Sequence, residues 1–326
     1  MSSAAGFQFN NSRGIVMLVI GLALFGVQDV LVKMLSGEIA VMEVVFFRSP
    51  IALIIAWWIV KREGGLPMLR TRNIKLITLR GLIGLSCYTS YYMALAMLPL
   101  ADVIVIAFSA PLFVAALAAP ILGERLDLLR SLAVLVGFVG VIIAMNPTGM
   151  TDPAVLLAVY AALSYAVQSI LTRQLGNTES GGSLAFWHLL IFWLGSCLAG
   201  LMFGSGWLLS PDSHPSVAFL LRAWTIPTLA QAQWLLIIGL IAGCGFYLLS
   251  QAYRIGQASS VAPFEFSAII WGVLWGFVFW NQLPPALMWV GMSLILASGF
   301  YLLAYEKKLS KAAKLAARKY QQPTVT

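Results

Sequence analysis

The chain has 326 residues, 60% of them hydrophobic and only 10% charged, with a net charge of +8. Soluble domains carry roughly a quarter charged residues, so a soluble core is excluded as the home of this much apolar surface. The basic excess lies between apolar blocks and not on one face interleaved with aromatics, which argues against nucleic-acid binding and for a role in membrane topology.

After an N-terminal segment, residues 1–13, the apolar blocks run at 14–35, 39–60, 75–98, 101–121, 128–146, 153–175, 184–207, 232–253, 261–280 and 285–305. Each is close to the roughly 20 residues that cross about 30 Å of hydrocarbon as a helix. No basic stretch followed by a short apolar run and a small-residue cleavage site opens the chain, so the first block is expected to stay as a spanning helix. The segment 208–231, with Pro211, His214, Pro215, Trp224 and Pro227, is the longest external connection. Its Trp is expected at the membrane interface. Cys87, Cys197 and Cys244 all fall inside apolar blocks. There a thiol acts as a small hydrophobe, and no disulfide, metal or cofactor site is implied.

The distribution of Lys and Arg tests this parse. One side receives Arg13, the group Lys61 to Lys75, Arg125, Arg130, Arg173, Arg254 and the tail from Lys307 to Lys319, and the other side receives only Arg222. The positive-inside rule then places both termini in the cytoplasm. The tail, residues 306–326, sets Lys307, Lys311, Lys314 and Arg318 on one helical face. That face suits the anionic cytoplasmic leaflet, and it serves equally as a solvated anchor of orientation.

An offset of 140 residues aligns GVQDVLVKML at 26–35 with AVQSILTRQL at 166–175. In that frame Gln28 meets Gln168, Lys33 meets Arg173 and Arg48 meets His188. Later, 90–103 matches 245–261 more loosely. The expected fold is an all-α membrane protein of ten transmembrane helices in two repeats, 14–146 and 147–305. Five helices per repeat is an odd number, so the second copy enters the membrane upside down. Inverted repeats of this kind build secondary transporters around a midplane site.

FR in the second block, PLAD, SAPLF and LGER around the fourth, GFVGVII in the fifth and VAPFEFSAIIWG in the ninth stand in an order similar to that of EamA-type members of the drug/metabolite transporter superfamily. The resemblance runs over nearly the whole chain. It implies two five-helix units, a central cavity and alternating access of a small metabolite from the two sides of a cell inner membrane. One departure is that Gly123-Glu124 closes the fourth block, whereas Asn281-Gln282 stands after the ninth.

Charged residues inside a bilayer cost about 2.5–3.5 kcal/mol on insertion scales, so they face a cavity or a partner. Arg48, about 14 Å into its helix, is the leading candidate for substrate binding. Its repeat mate His188, the amides Gln28 and Gln168, and Tyr91, Tyr92 and Tyr247 join it. Asp29 and Lys33 are spaced as a helical ion pair with the acid first, and Lys33 also suits a helix C-terminus. Arg80 and Glu265, near the cytoplasmic ends of their helices, are candidates for a structural or gating ion pair. Glu265 between Phe264 and Phe266 also reads as a desolvated carboxyl able to load a proton. Asp29, Lys33, Arg80, Arg173 and Glu265 form the coupling or gating set. Pro111 and Pro263 interrupt their helices, and the glycines serve close packing.

Two rival readings are weaker. An intramembrane enzyme needs a nucleophile or metal-ligand pattern, and with only His188 and His214 no such spacing is present. A channel would show a filter motif. The Walker sequence is missing too, so a gradient or exchange must drive transport.

Overall fold

The structure, a computed structural model, describes residues 11–122, 128–145, 152–175, 178–255 and 262–321. The apolar blocks within them are helical. In chain order the helices are α1 (Asn11–Leu35), α2 (Val41–Glu63), α3 (Ile74–Leu95), α4 (Leu100–Ala107), α5 (Ala110–Leu122) and α6 (Leu128–Met145). They continue as α7 (Ala154–Leu175), α8 (Gly181–Phe203), α9 (Pro215–Leu221), α10 (Leu229–Ile255), α11 (Ser267–Trp280) and α12 (Ala286–Gln321). Short 3-10 turns lie at Leu66–Leu69 and Ala262–Phe266.

By length and composition α1, α2, α7, α8 and α10 each hold a stretch able to cross a membrane. Large apolar side chains point outward from the bundle, Ile54 at 70%, Leu135 at 60% and Leu201 at 88% exposure. In water that surface would be a liability. In lipid it is the expected exterior, because the backbone groups are satisfied within each helix.

The fourth block is not one helix. Pro111 has no N–H to donate, and its ring collides with the carbonyl four residues earlier, that of Ala107. Helix α4 accordingly stops at Ala107 and α5 begins at Ala110. In the ninth block the Ala262–Phe266 turn precedes α11 in the same way. The last helix continues to Gln321, beyond the expected end at 305, so the backbone of the tail is helical. The side chains of Lys307, Lys311, Lys314 and Arg318 lie outside the described residues, as does the segment holding Gly123 and Glu124.

Trp224 is tied into the bundle. It packs on Phe46 of α2, with ring centroids 5.5 Å apart, and its backbone N–H donates to the Gly204 carbonyl at 2.8 Å. The connection is thereby folded back onto the bundle. Arg222 Nη1 donates to the Ser36 carbonyl at 2.9 Å, and the Thr225 N–H donates to Glu43 Oε1 at 3.2 Å. At the opposite end Glu63 Oε2 accepts from the Gly182 N–H at 3.0 Å and from the Ser180 hydroxyl at 3.1 Å. A carboxylate at the start of α8 is favoured by the helix dipole and meets an otherwise orphaned donor.

The principal packing partners are α1 with α10, α3 with α7, α2 with α8 and with α10, α3 with α8, α4 with α11, and α6 with α12. In the α6–α12 pair, a Cβ on Gly291 would sit 2.5 Å from the Gly140 carbonyl oxygen, and one on Gly140 would sit 2.9 Å from that of Gly291. Only a hydrogen at each position lets these backbones approach so closely.

Candidate functional site

Helices α1, α2, α3, α7, α8 and α10 and the two broken segments enclose a cavity of about 360 Å³. Gln28, Asp29, Arg48, Tyr91, Tyr92, Gln168, His188 and Glu265 all border it. These residues lie far apart in the chain and are brought together by the crossing of the helices. Gly84 keeps the wall thin where α3 passes α7 and α8. A Cβ there would lie 2.6 Å from His188 Cε1 and 2.9 Å from Gln168 Oε1.

Arg48 is 2% exposed. Its guanidinium carbon lies 4.1 Å from the centroid of the Tyr88 ring and 6.0 Å from that of Phe192, so the cation rests on π-faces. Nη1 donates to Gln28 Oε1 at 3.5 Å, and Nε has no partner. The Gln28 Nε2 group donates to the Tyr92 hydroxyl at 2.9 Å. Tyr92 in turn donates to Asp29 Oδ1 at 2.6 Å, while Tyr91 donates to Asp29 Oδ2 at 2.9 Å. One hydrogen-bonded chain thus runs from Arg48 through Gln28 and Tyr92 to Asp29 and Tyr91. His188 packs against Phe192 with the rings tilted and their centroids 4.2 Å apart, and its Nδ1 has no partner.

Asp29 and Lys33 do not form the helical pair that their spacing suggests. The two tyrosine hydroxyls take both oxygens of Asp29. Lys33 Nζ donates to the carbonyls of Leu95 and Leu98 at 2.6 and 2.5 Å, past the end of α3, and lies 5.5 Å from the Trp280 ring centroid. Capping a helix C-terminus suits a cation, and the end it caps is that of α3 and not that of its own helix. Arg80 Nε donates to Thr172 Oγ1 at 2.6 Å and its Nη1 to the Leu184 carbonyl at 3.3 Å, which fastens α3 to α7 and α8. Tyr247 borders a different cavity, with Glu63, Gly182 and Gln251. The side chain of Arg173 lies outside the described residues.

Tyr88, Phe192, Phe25, Phe246 and Phe108 also line the site and were not singled out. Tyr88 precedes Tyr92 by one helical turn, and Phe192 follows His188 by one turn. That spacing was the available signal. Aromatic residues one turn apart are common in ordinary packing, which hid it.

The apolar exterior, the helical bundle and the polar interior cavity define an integral membrane protein. Residues 12–146 match the EamA-like transporter family, as the order of motifs implied. The likeness extends across the second half through whole-length relatives. A pseudopaline exporter of Pseudomonas aeruginosa is 28% identical over 287 residues, 87% of this chain and 94% of that protein. An S-adenosylmethionine uptake transporter of Rickettsia bellii is 27% identical over 91% of this chain and 95% of its own. A riboflavin transporter of Rhizobium johnstonii is 26% identical over 91% of this chain and 94% of its own. These relatives are transporters, not enzymes. One solved crystal structure has a TM-score of 0.58 at 18% identity, covering 96% of this chain and 100% of that one, and shares the fold.

Proposed function

We propose that the chain is a secondary transporter of a small organic metabolite in the bacterial inner membrane, working by alternating access between two inverted five-helix repeats. The observation that carries this reading is a symmetry of packing. Take α4 with α5 as one span, the Ala262–Phe266 turn with α11 as another, and set aside the short α9. Exchanging the repeats then swaps α1 with α7, α2 with α8, α3 with α10, α4 with α11 and α6 with α12. Under that exchange the α1–α10 contact becomes α7–α3, and α2–α10 becomes α8–α3. The pairs α2–α8, α4–α11 and α6–α12 map onto themselves. Each of these contacts is present.

The polar ties at the two ends follow the same exchange, Arg222 and Thr225 to the α1–α2 corner and Glu63 to the α7–α8 corner. Two near-equivalent halves around one cavity supply two near-equivalent arrangements, one open to each side. Repeat one spans 14–146 and repeat two 147–305. Both termini lie in the cytoplasm, with the basic tail against the anionic leaflet. Relatives that handle pseudopaline, S-adenosylmethionine and riboflavin support a cargo of small-metabolite size.

The test uses single cysteines replacing the cavity-lining Ala107 or Ala161 in a chain without native cysteines. An impermeant maleimide should label each from outside in right-side-out vesicles and from inside in inverted ones, while the vesicles stay sealed to the reagent. Access from one side only removes alternating access. Labelling accompanied by open passage of the reagent turns the reading toward a channel.

A further inference from the structure

Arg48 is held inside the membrane with its binding capacity largely unused. One face lies on Tyr88, and a single long hydrogen bond reaches Gln28. Nε donates to nothing, and among the described residues no carboxylate forms an ion pair with this guanidinium. The acid at the other end of its hydrogen-bonded chain, Asp29, has one oxygen on Tyr92 and the other on Tyr91. A guanidinium buried to 2% exposure without an ionic partner is expensive in a low-dielectric interior, and a protein built only for stability would pair it. Beside Phe192 stands a second buried polar atom without a partner, His188 Nδ1. Arg48 and His188 come from α2 and α8 and border the same cavity.

Resting on the transporter reading above, we propose that the transported molecule carries a carboxylate that docks on Arg48, attached to a planar, largely apolar body that lies among Tyr88, Phe192, Phe246 and Phe25. The planar fork of a guanidinium matches a carboxylate in two-point fashion, and stacking on Tyr88 fixes its plane beforehand. A monoanion fits this lining better than a dianion does. Among the described lining residues Arg48 is the one permanent cation, against the acids Asp29 and Glu265. A phosphate dianion would bring two further charges to a single cation. The aromatic lining suits a ring more than a flexible polar chain. His188 Nδ1, poised beside Phe192, is the second contact for the carboxylate or for a ring heteroatom.

Equilibrium binding to purified protein in lipid nanodiscs, followed by calorimetry, tests this with 2-naphthoate, its neutral isostere 2-naphthamide, and 2-naphthyl phosphate. Charge-assisted hydrogen bonds of this type correspond to about 10- to 100-fold in affinity, so naphthoate should bind that much tighter than the amide. Naphthyl phosphate should bind more weakly than naphthoate. Arg48→Gln should erase the preference for the carboxylate over the amide. Arg48→Lys, which keeps the charge and loses the fork, should retain only part of it, and His188→Phe should weaken naphthoate several-fold. The Lys and Phe variants carry the test if the Gln variant does not fold. Equal binding of acid and amide, tighter binding of the phosphate, no binding of any probe, or a preference unchanged in these variants overturns the assignment. The cysteine-accessibility assay on the same protein separates the two ideas. Two-sided access without a carboxylate preference removes only the substrate class, and a carboxylate preference with one-sided access removes only the transport cycle.

Discussion

Tyr92 donates its hydroxyl hydrogen to Asp29 at 2.6 Å while the same oxygen accepts from Gln28, so a residue of α3 bridges an acid and an amide that are neighbours on α1. The bridge links Asp29 indirectly to the cation on α2. In a low-dielectric interior such a chain is stabilising only when complete, because each member relieves the desolvation of the next.

The first prediction follows from that completeness. Tyr92→Phe leaves the Gln28 amide and one oxygen of Asp29 without a partner and should destabilise the protein by about 1–3 kcal/mol. Asp29→Asn removes the charge assistance and should act in the same range. The double variant should cost clearly less than the sum, because both changes break one interaction. Equilibrium unfolding in mixed micelles measures all three. Additive losses would show that the two side chains do not act as a unit.

Packing of α6 on α12 supplies the second prediction. Gly140→Leu or Gly291→Leu forces a side chain into the opposing backbone, where even a Cβ meets atoms within 3 Å. Overpacking of this type costs about 1–3 kcal/mol or more, read as a lower melting midpoint in detergent. Gly37→Ala is the control. Nothing lies within 4 Å of a Cβ at Gly37, and its midpoint should stay within about 0.5 kcal/mol of the parent.

How much of this was legible in the sequence depends on which physical effect placed each residue. The break after Ala107 agrees with Pro111, which removes a donor and crowds the carbonyl four residues back, but Pro50 lies inside the unbroken α2, so the proline by itself did not settle where a helix would stop. Gln28, Gln168, Arg48 and His188 were found because the alignment at an offset of 140 residues pairs polar residues with one another, and these four residues border one cavity. The Asp29–Lys33 pairing failed for a different reason. Spacing along one helix makes the two side chains neighbours, but tyrosines and carbonyls contributed by α3 solvate each charge better than the two charges solvate each other. Tyr247 shows the limit of register. One residue turns a helix by about 100°, so Phe246 borders both the central cavity and its neighbour while Tyr247 borders only the neighbour. No pattern within α3 or α8 could reveal that Tyr88 and Phe192 flank Arg48, because that contact exists only once three helices have crossed.

Sidedness gives the third prediction. Cysteines replacing Arg70 and Ser213, in a background with Cys87, Cys197 and Cys244 removed, should react with impermeant maleimide from the cytoplasmic and the external side respectively. Cys87→Ser is the suitable replacement, since Cys87 Sγ donates to the Ala161 carbonyl at 3.2 Å and a hydroxyl keeps that bond. Reaction of both positions from the same face would contradict the ten-span arrangement and with it the inversion of the repeats.

The last prediction concerns the energy source, and it rests on where Glu265 lies. This carboxyl sits in the 3-10 turn that precedes α11 and borders the same cavity as Arg48, where its charge can be sensed by whatever the cavity holds. If loading a proton on Glu265 shifts the balance between inward-open and outward-open states, a permanently neutral side chain should uncouple the cycle from the pH gradient. Glu265→Gln should therefore keep exchange of labelled for unlabelled substrate in liposomes and lose accumulation driven by an imposed pH difference. A purely structural role predicts instead that exchange and accumulation fall together, with the inserted amount of protein falling as well. Arg80 distinguishes the cases further. Its guanidinium fastens α3 to Thr172 and to the Leu184 carbonyl, so Arg80→Gln should lower stability by about 1–3 kcal/mol while leaving any gradient dependence intact in the protein that folds. Full gradient-driven accumulation by Glu265→Gln would move the coupling role to His188 or to Asp29, whose carboxylate is joined through Tyr92 and Gln28 to the proposed anion site.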